Sequence, residues 1–200
     1  MAKIKFCGLK RPCDIDYANV VKPDYVGFVF AKKSSRYISL EEAGKLRSSL
    51  SAEITPVGVF VNEKPEIVAE ALKRKIIDIA QLHGSEGEEY ISVLRSLTDR
   101  PVIKAFRIEN AADVEAAERC TADFVLLDSG SGGTGTVFDW SLLKNVRKRF
   151  FMAGGLDARN VKDAVFSYQP YAVDVSSGIE TDGMKDPVKM EAFIKAVREG

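Results

Sequence analysis

Residues 124–140 read FVLLDSGSGGTGTVFDW. Phe124 to Leu127 is an apolar run short enough for one buried strand. It ends in a carboxylate, Asp128, where a side chain meets solvent or a ligand. Four glycines and two serines crowd the next stretch, SGSGGTG. Asp139 can then cap a helix over 140–149. A strand that ends in an acid, opens into a loop and continues as a helix is one βα unit. The same unit lies on both sides of it. Upstream, strands are predicted over 3–7, 25–30, 55–61, 78–82, 101–107 and 123–128. Helices are predicted over 14–21, 40–50, 65–75, 86–97 and 111–119. Ser39 followed by Glu42 forms a capping box for the second of these helices. Downstream, strands are predicted over 150–153 and 172–175, with helices over 157–167 and 187–199.

Repeated βα units demand a parallel sheet. Eight of them, with no break in composition, close most simply into a (β/α)8 barrel spanning residues 1–200 as a single domain. A doubly wound open sheet is the alternative topology. With 200 residues for eight units, most loops are near minimal. The longer ones, after Phe30 and after Asp128, stand out.

Composition narrows the function. Lys and Arg total 29, as do Asp and Glu, and no basic run occurs. That argues against nucleic acid or an anionic membrane as the main partner. No apolar run is long enough to span a bilayer, and MAKIKF lacks the shape of a signal peptide. Three cysteines without CxxC spacing suggest neither a disulfide framework nor a zinc site. The expectation is a cytoplasmic protein acting on a small molecule. The one histidine, His83, excludes a site built on several.

In such a barrel the site lies at the C-terminal ends of the strands. Cys7, Gln81 with His83, Arg107 and Asp128 end the first, fourth, fifth and sixth strands. Gly154-Gly155 follows the seventh, and Ser176-Ser177-Gly178 follows the eighth. Strand alternation puts Cys7 on one face with Lys5, and Asp174 with Ser176. Closure makes the eighth strand a neighbour of the first, so Lys5 and Asp174 are predicted to pair inside. Glycine-bearing turns after the last two strands suit a phosphate, with SSGIE opening a short extra helix. Tight turns that need glycine for positive φ would read the same way. Cys7 is by default a small buried apolar residue. Its strand end, with Lys5, Lys10 and Arg11 nearby, predicts instead a lowered pKa and a thiolate. Arg36 is either a solvated charge or a two-point clamp for a ligand carboxylate. His83 is either a hydrogen-bonded structural residue or a ligand contact. Gly130 to Gly135 matches GxGxxG, but five βα units precede it and no helix opens directly on it. It therefore reads as a loop and not a dinucleotide site.

Taken together, KIKFCG, GFVF with SSRYIS, GVFVN, QLHG, KAFR, LLDS…GGTG…FDW, AGGL…NV and VDVSSGIE resemble the phosphoribosylanthranilate isomerase family. The motifs fall in order from Lys3 to Glu180. The family's loop often reads S-P-R, and Ser35 holds the middle place here while Arg36 is kept. The family also occurs fused to a second barrel enzyme, for which 200 residues leave no room. The resemblance implies an Amadori rearrangement in tryptophan biosynthesis, converting N-(5-phosphoribosyl)anthranilate to 1-(2-carboxyphenylamino)-1-deoxyribulose 5-phosphate. It implies Asp128 as general acid, Cys7 as general base and Arg36 on the anthranilate carboxylate. Gln81, His83 and Asp174 would face the substrate, and Gly154, Gly155, Ser176, Ser177 and Gly178 would hold its phosphate. No metal or organic cofactor is called for, and the active form is a monomer or homodimer. The rival readings are a pentose-phosphate epimerase and a silent barrel that only binds a phosphorylated ligand.

Overall fold

The computed structural model describes residues 1–128, 142–143 and 146–199. The glycine-rich segment 130–135, Asp139 and positions 140, 141, 144 and 145 of the helix expected over 140–149 lie outside the described residues. Of the rest, 142–143 are 3-10 and 146–149 are not helical, so the expected helix does not run to 149.

The strands are β1 (Lys3–Cys7), β2 (Tyr25–Val29), β3 (Thr55–Phe60), β4 (Ile79–Leu82), β5 (Val102–Arg107), β6 (Phe124–Asp128), β7 (Phe150–Ala153) and β8 (Ala172–Val175). They pair in chain order, all parallel, and β8 closes on β1. That closure decides for the barrel over the open sheet. The helices are α1 (Pro12–Val21), α2 (Leu40–Ser49), α3 (Pro65–Lys73), α4 (Glu88–Leu97), α5 (Ala111–Arg119), α6 (Val161–Tyr168) and α7 (Pro187–Arg198). Between β8 and α7 come a 3-10 turn, Ser177–Ile179, and a small antiparallel hairpin of β9 (Glu180–Thr181) and β10 (Met184–Lys185).

Helix starts follow local chemistry. Ser39 and Glu42 form the expected reciprocal box at α2. Asp186 accepts from the N–H groups of Val188 and Lys189, and Pro187 fills the first position of α7, where no N–H is needed. Two helices begin later than the apolar pattern suggests. At α4, Glu86 turns inward to accept from Asn62 N (2.6 Å) and Gly84 N (2.8 Å), so the helix opens at Glu88. At α6, Asp157 and Asn160 bond to nearby backbone N–H groups in a turn, which delays the helix to Val161.

Alternation along the strands builds two apolar layers. Ile4, Phe6, Val26, Phe28 and Val173 face the helices, where Phe6 meets Phe193 edge-on with ring centroids 6.0 Å apart. Val57, Ile79, Ile103, Leu126, Phe151 and Ala172 fill the barrel. Near the starts of the strands, Tyr25, Phe124, Phe151 and Tyr171 pack as a ring cluster, with the Tyr25 and Tyr171 hydroxyls 2.9 Å apart. That end is plugged. Space for a ligand is left at the opposite end, where the strands finish.

Candidate active site

A cavity of about 420 Å³ opens at the C-terminal ends of the strands. Its walls include Cys7, Arg36, Gln81, His83, Asp128, Gly154, Gly155, Asp174, Ser176 and Ser177. Gly178 and Arg107 are not part of it, although Gly178 packs against Leu156, which is. Arg107 turns over the rim to Glu109 at 2.9 Å.

Cys7 ends β1 opposite Gly27 of β2. A Cβ on Gly27 would stand 2.8 Å from the Cys7 sulfur, so the thiol sits against bare backbone. Gly8 then turns the chain at a φ of +83°. A side chain there would also strike the Arg36 stem, 2.4 Å from Cδ. Arg36 is delivered by the loop after β2. Ser34 Oγ accepts from Arg36 N, and Lys10 ties the Ser35 carbonyl at 2.8 Å.

The thiol does not have the lowered pKa expected from its neighbours. Burial pushes it up, the Asp174 carboxylate adds to that, and Lys5 and Lys185 only offset it in part. Lys10 and Arg11, close to Cys7 in sequence, are engaged elsewhere. Lys10 binds Ser35 O, while Arg11 pairs with Asp14 at 2.7 Å and donates to Lys185 O.

Beneath Cys7, Lys5 and Asp174 face each other in register across the β1–β8 seam. Lys5 Nζ donates to both Asp174 carboxylate oxygens at 2.9 Å. Burial works against the Lys5 ammonium, but Asp174 outweighs it and its pKa ends above the ordinary lysine value.

Across the cavity, Gln81 Nε2 lies 2.8 Å from His83 Nδ1, and His83 Nε2 lies 3.7 Å from Asp128 Oδ2. An amide N–H at Nδ1 leaves the imidazole proton on Nε2, facing the carboxylate. Gln81 Oε1 is buried with no hydrogen-bond partner among the described residues. The β4 loop that carries His83 is braced by Lys104, whose Nζ donates to Gly84 O at 2.6 Å and pairs with Glu86 at 3.3 Å.

The two glycine turns meet. Gly154 and Gly155 both hold positive φ, at 97° and 64°. A Cβ on Gly178 would lie 2.0 Å from Leu156 O, so only glycine lets the 3-10 turn press on the loop after β7. Ser176 Oγ donates to Cys7 O at 2.9 Å, tying the β8 turn to the thiol's own strand.

Sequence reasoning missed Gly8, Gly27, Glu180 and Lys185. Gly27, inside the apolar strand YVGFV, carried the usual mark of a close approach. Glu180 lies inside SSGIE, where the sequence suggests only a helical turn. Its carboxylate accepts from Arg36 Nε and Nη2, both at 2.7 Å. Burial opposes its ionised form, but Arg36 and Lys185 hold its pKa below the ordinary carboxylate value.

Residues 4–196 match the family model described as N-(5'phosphoribosyl)anthranilate (PRA) isomerase. The N-(5'-phosphoribosyl)anthranilate isomerase of Endomicrobium trichonymphae is 46% identical over 202 residues, covering 99% of each chain. The crystal structure of phosphoribosyl anthranilate isomerase from Thermotoga maritima superposes with a TM-score of 0.91 at 36% identity, covering 100% of both chains. A structure of phosphoribosyl anthranilate isomerase in complex with reduced 1-(o-carboxyphenylamino)-1-deoxyribulose 5-phosphate has a TM-score of 0.89 at 35% identity, again covering both chains fully.

Proposed function

We propose, for a chain that belongs to the N-(5'-phosphoribosyl)anthranilate isomerase family, that Cys7 and Asp128 are the base and acid of its aldose–ketose isomerisation. The chain catalyses the rearrangement of N-(5'-phosphoribosyl)anthranilate to 1-(o-carboxyphenylamino)-1-deoxyribulose 5-phosphate in tryptophan biosynthesis. The carrying observation is that a thiol and a carboxylate from separate strands line one cavity with an arginine and two glycine turns.

The chemistry needs two proton transfers. Asp128 gives a proton to the furanose ring oxygen as the C1–O bond breaks and the anilino nitrogen forms an iminium at C1. Cys7, as thiolate, takes the C2 proton, and the electron pair becomes the C1–C2 double bond of an enaminol. Tautomerisation of the enaminol yields the ketone. The burial that raises the thiol's pKa does not forbid this role. Thiol with carboxylate and thiolate with carboxylic acid carry the same number of protons. The reactive form is therefore a tautomer of the thiol–carboxylate pair.

The remaining contacts follow the substrate outward. Arg36 receives the anthranilate carboxylate, and the turns at Gly154-Gly155 and Ser176–Gly178 receive the phosphate. The unpartnered Gln81 Oε1 accepts a sugar hydroxyl, which supplies the bond it lacks. His83 holds Asp128 in orientation, and Asp174 both neutralises Lys5 and faces the ligand. The chain is read as one barrel domain acting in the cytoplasm as a monomer or homodimer. The assay is direct. Freshly made phosphoribosylanthranilate should lose its fluorescence on addition of the protein, with the carboxyphenylamino-deoxyribulose phosphate appearing by mass. A protein that binds the phosphorylated ligand without turning it over would overturn the assignment.

A further inference from the structure

The Arg36 fork already holds a carboxylate, that of Glu180, by its Nε and Nη2 edge. Guanidinium has five N–H donors, and two are used in this way. The other three, including the parallel pair along the Nη1/Nη2 edge, have no protein partner among the described residues. The Glu180 side chain is only 7% exposed, so it is a buried anion that must be paired. Its second cation is Lys185, whose Nζ lies 2.6 Å from Glu180 Oε1 and also donates to Ser176 O at 3.0 Å. Arg36, Glu180 and Lys185 together carry one net positive charge. Without Lys185, Glu180 would cancel the charge of Arg36 and leave nothing to attract an anion.

We infer that Glu180, neutralised by Lys185, is a positioning residue that locks the Arg36 fork so that its free edge is set for the substrate carboxylate. The inference rests on the reading of Arg36 as the carboxylate clamp. Arginine loses much rotamer freedom when it binds a ligand, and a protein carboxylate that fixes it beforehand removes that cost from binding. The Gly8 backbone beneath the stem restricts the same side chain from below. The hairpin that carries Lys185 also reaches Ser176, so the carboxylate clamp and the phosphate turn are anchored on one short segment.

The test compares two substrates, N-(5'-phosphoribosyl)anthranilate and N-(5'-phosphoribosyl)aniline, which lacks the carboxylate, with product measured by mass. Glu180→Gln should raise KM for the carboxylated substrate about 3- to 10-fold, the range set by freeing one rotamer-rich side chain. It should leave kcat largely intact and leave the KM of the aniline substrate unchanged. Glu180→Asp keeps the charge beside Lys185 but falls short of Arg36, and should show the same selective effect if Glu180→Gln fails to fold. Arg36→Ala serves as the reference. If Arg36→Ala discriminates the two substrates and the Glu180 variants do not, or if they lower KM by removing a competitor, the inference is overturned while the clamp stands. If Arg36→Ala fails to discriminate, the clamp reading falls and the inference falls with it.

Discussion

Asp174→Asn isolates the charge pair at the base of the site. Asparagine keeps the shape of the aspartate and one acceptor oxygen but removes the charge. Lys5 is fully buried, and Asp174 is 8% exposed, so solvent cannot replace what is lost. Both 2.9 Å bonds from Lys5 Nζ go to this one carboxylate, and among the described residues no other carboxylate pairs with Lys5. Breaking one partner of a buried pair costs ~3–5 kcal/mol, mostly by stranding the other charge. Domains are stable by ~5–15 kcal/mol in all, so a large share of the fold's margin is at stake. At ~2–4 °C per kcal/mol for a chain of this size, the melting midpoint should fall by about 6–20 °C. The pH dependence has a definite sign. The folded Lys5 pKa is raised, so the pair's contribution is full below the unfolded lysine value and is lost as pH rises through the folded one. The parent protein should therefore lose stability above the ordinary lysine range, and Asp174→Asn should lose less there. Urea unfolding followed by circular dichroism measures both effects. Replacing both partners, as Lys5→Met with Asp174→Leu, should recover most of the loss. A single variant within ~0.5 kcal/mol of the parent would refute the reasoning.

Two further outcomes follow from the thiol's surroundings. Gly27→Ala places a methyl 2.8 Å from the Cys7 sulfur, and turnover should drop by about 10²-fold, as for a catalytic group displaced by ~1 Å. Parallel melting curves separate this from unfolding, and a folded variant with near-parental turnover would show that the bare backbone is not needed. The pH dependence of Cys7 alkylation, taken as the difference between the parent and Cys7→Ala, should show a thiol that ionises above its ordinary range. Lys5→Met should move that ionisation higher still. A thiolate already formed at neutral pH in the free protein would contradict the burial argument.

Much of the barrel was legible because its signals are local. Short apolar runs place β1, β7 and β8 with the bounds observed, and an amphipathic run places helix α5 likewise. The Lys5–Asp174 pair was also readable, since alternation and closure need only the strand positions. What was not readable depends on tertiary approach. The sequence puts Lys10 and Arg11 close to Cys7, yet their side chains leave for Ser35 and Asp14, and burial then decides the thiol's pKa. Arg36 and Glu180 are 144 residues apart, and no spacing rule links them. Glu86 resembles a first-turn helix residue until the fold brings Asn62 N and Lys104 to it. The glycine-rich segment after Asp128 lies outside the described residues.

The most direct test of the central claim pairs Cys7→Ala with Asp128→Asn. Each variant is assayed for turnover of freshly made phosphoribosylanthranilate and, separately, for binding of the reduced carboxyphenylamino-deoxyribulose phosphate. General acid or base catalysis is worth ~10²–10⁴-fold, so each variant should lose at least that much turnover. Binding should survive in both, because the phosphate and carboxylate contacts are assigned to other residues. Near-parental turnover in both variants would contradict the assignment of base and acid.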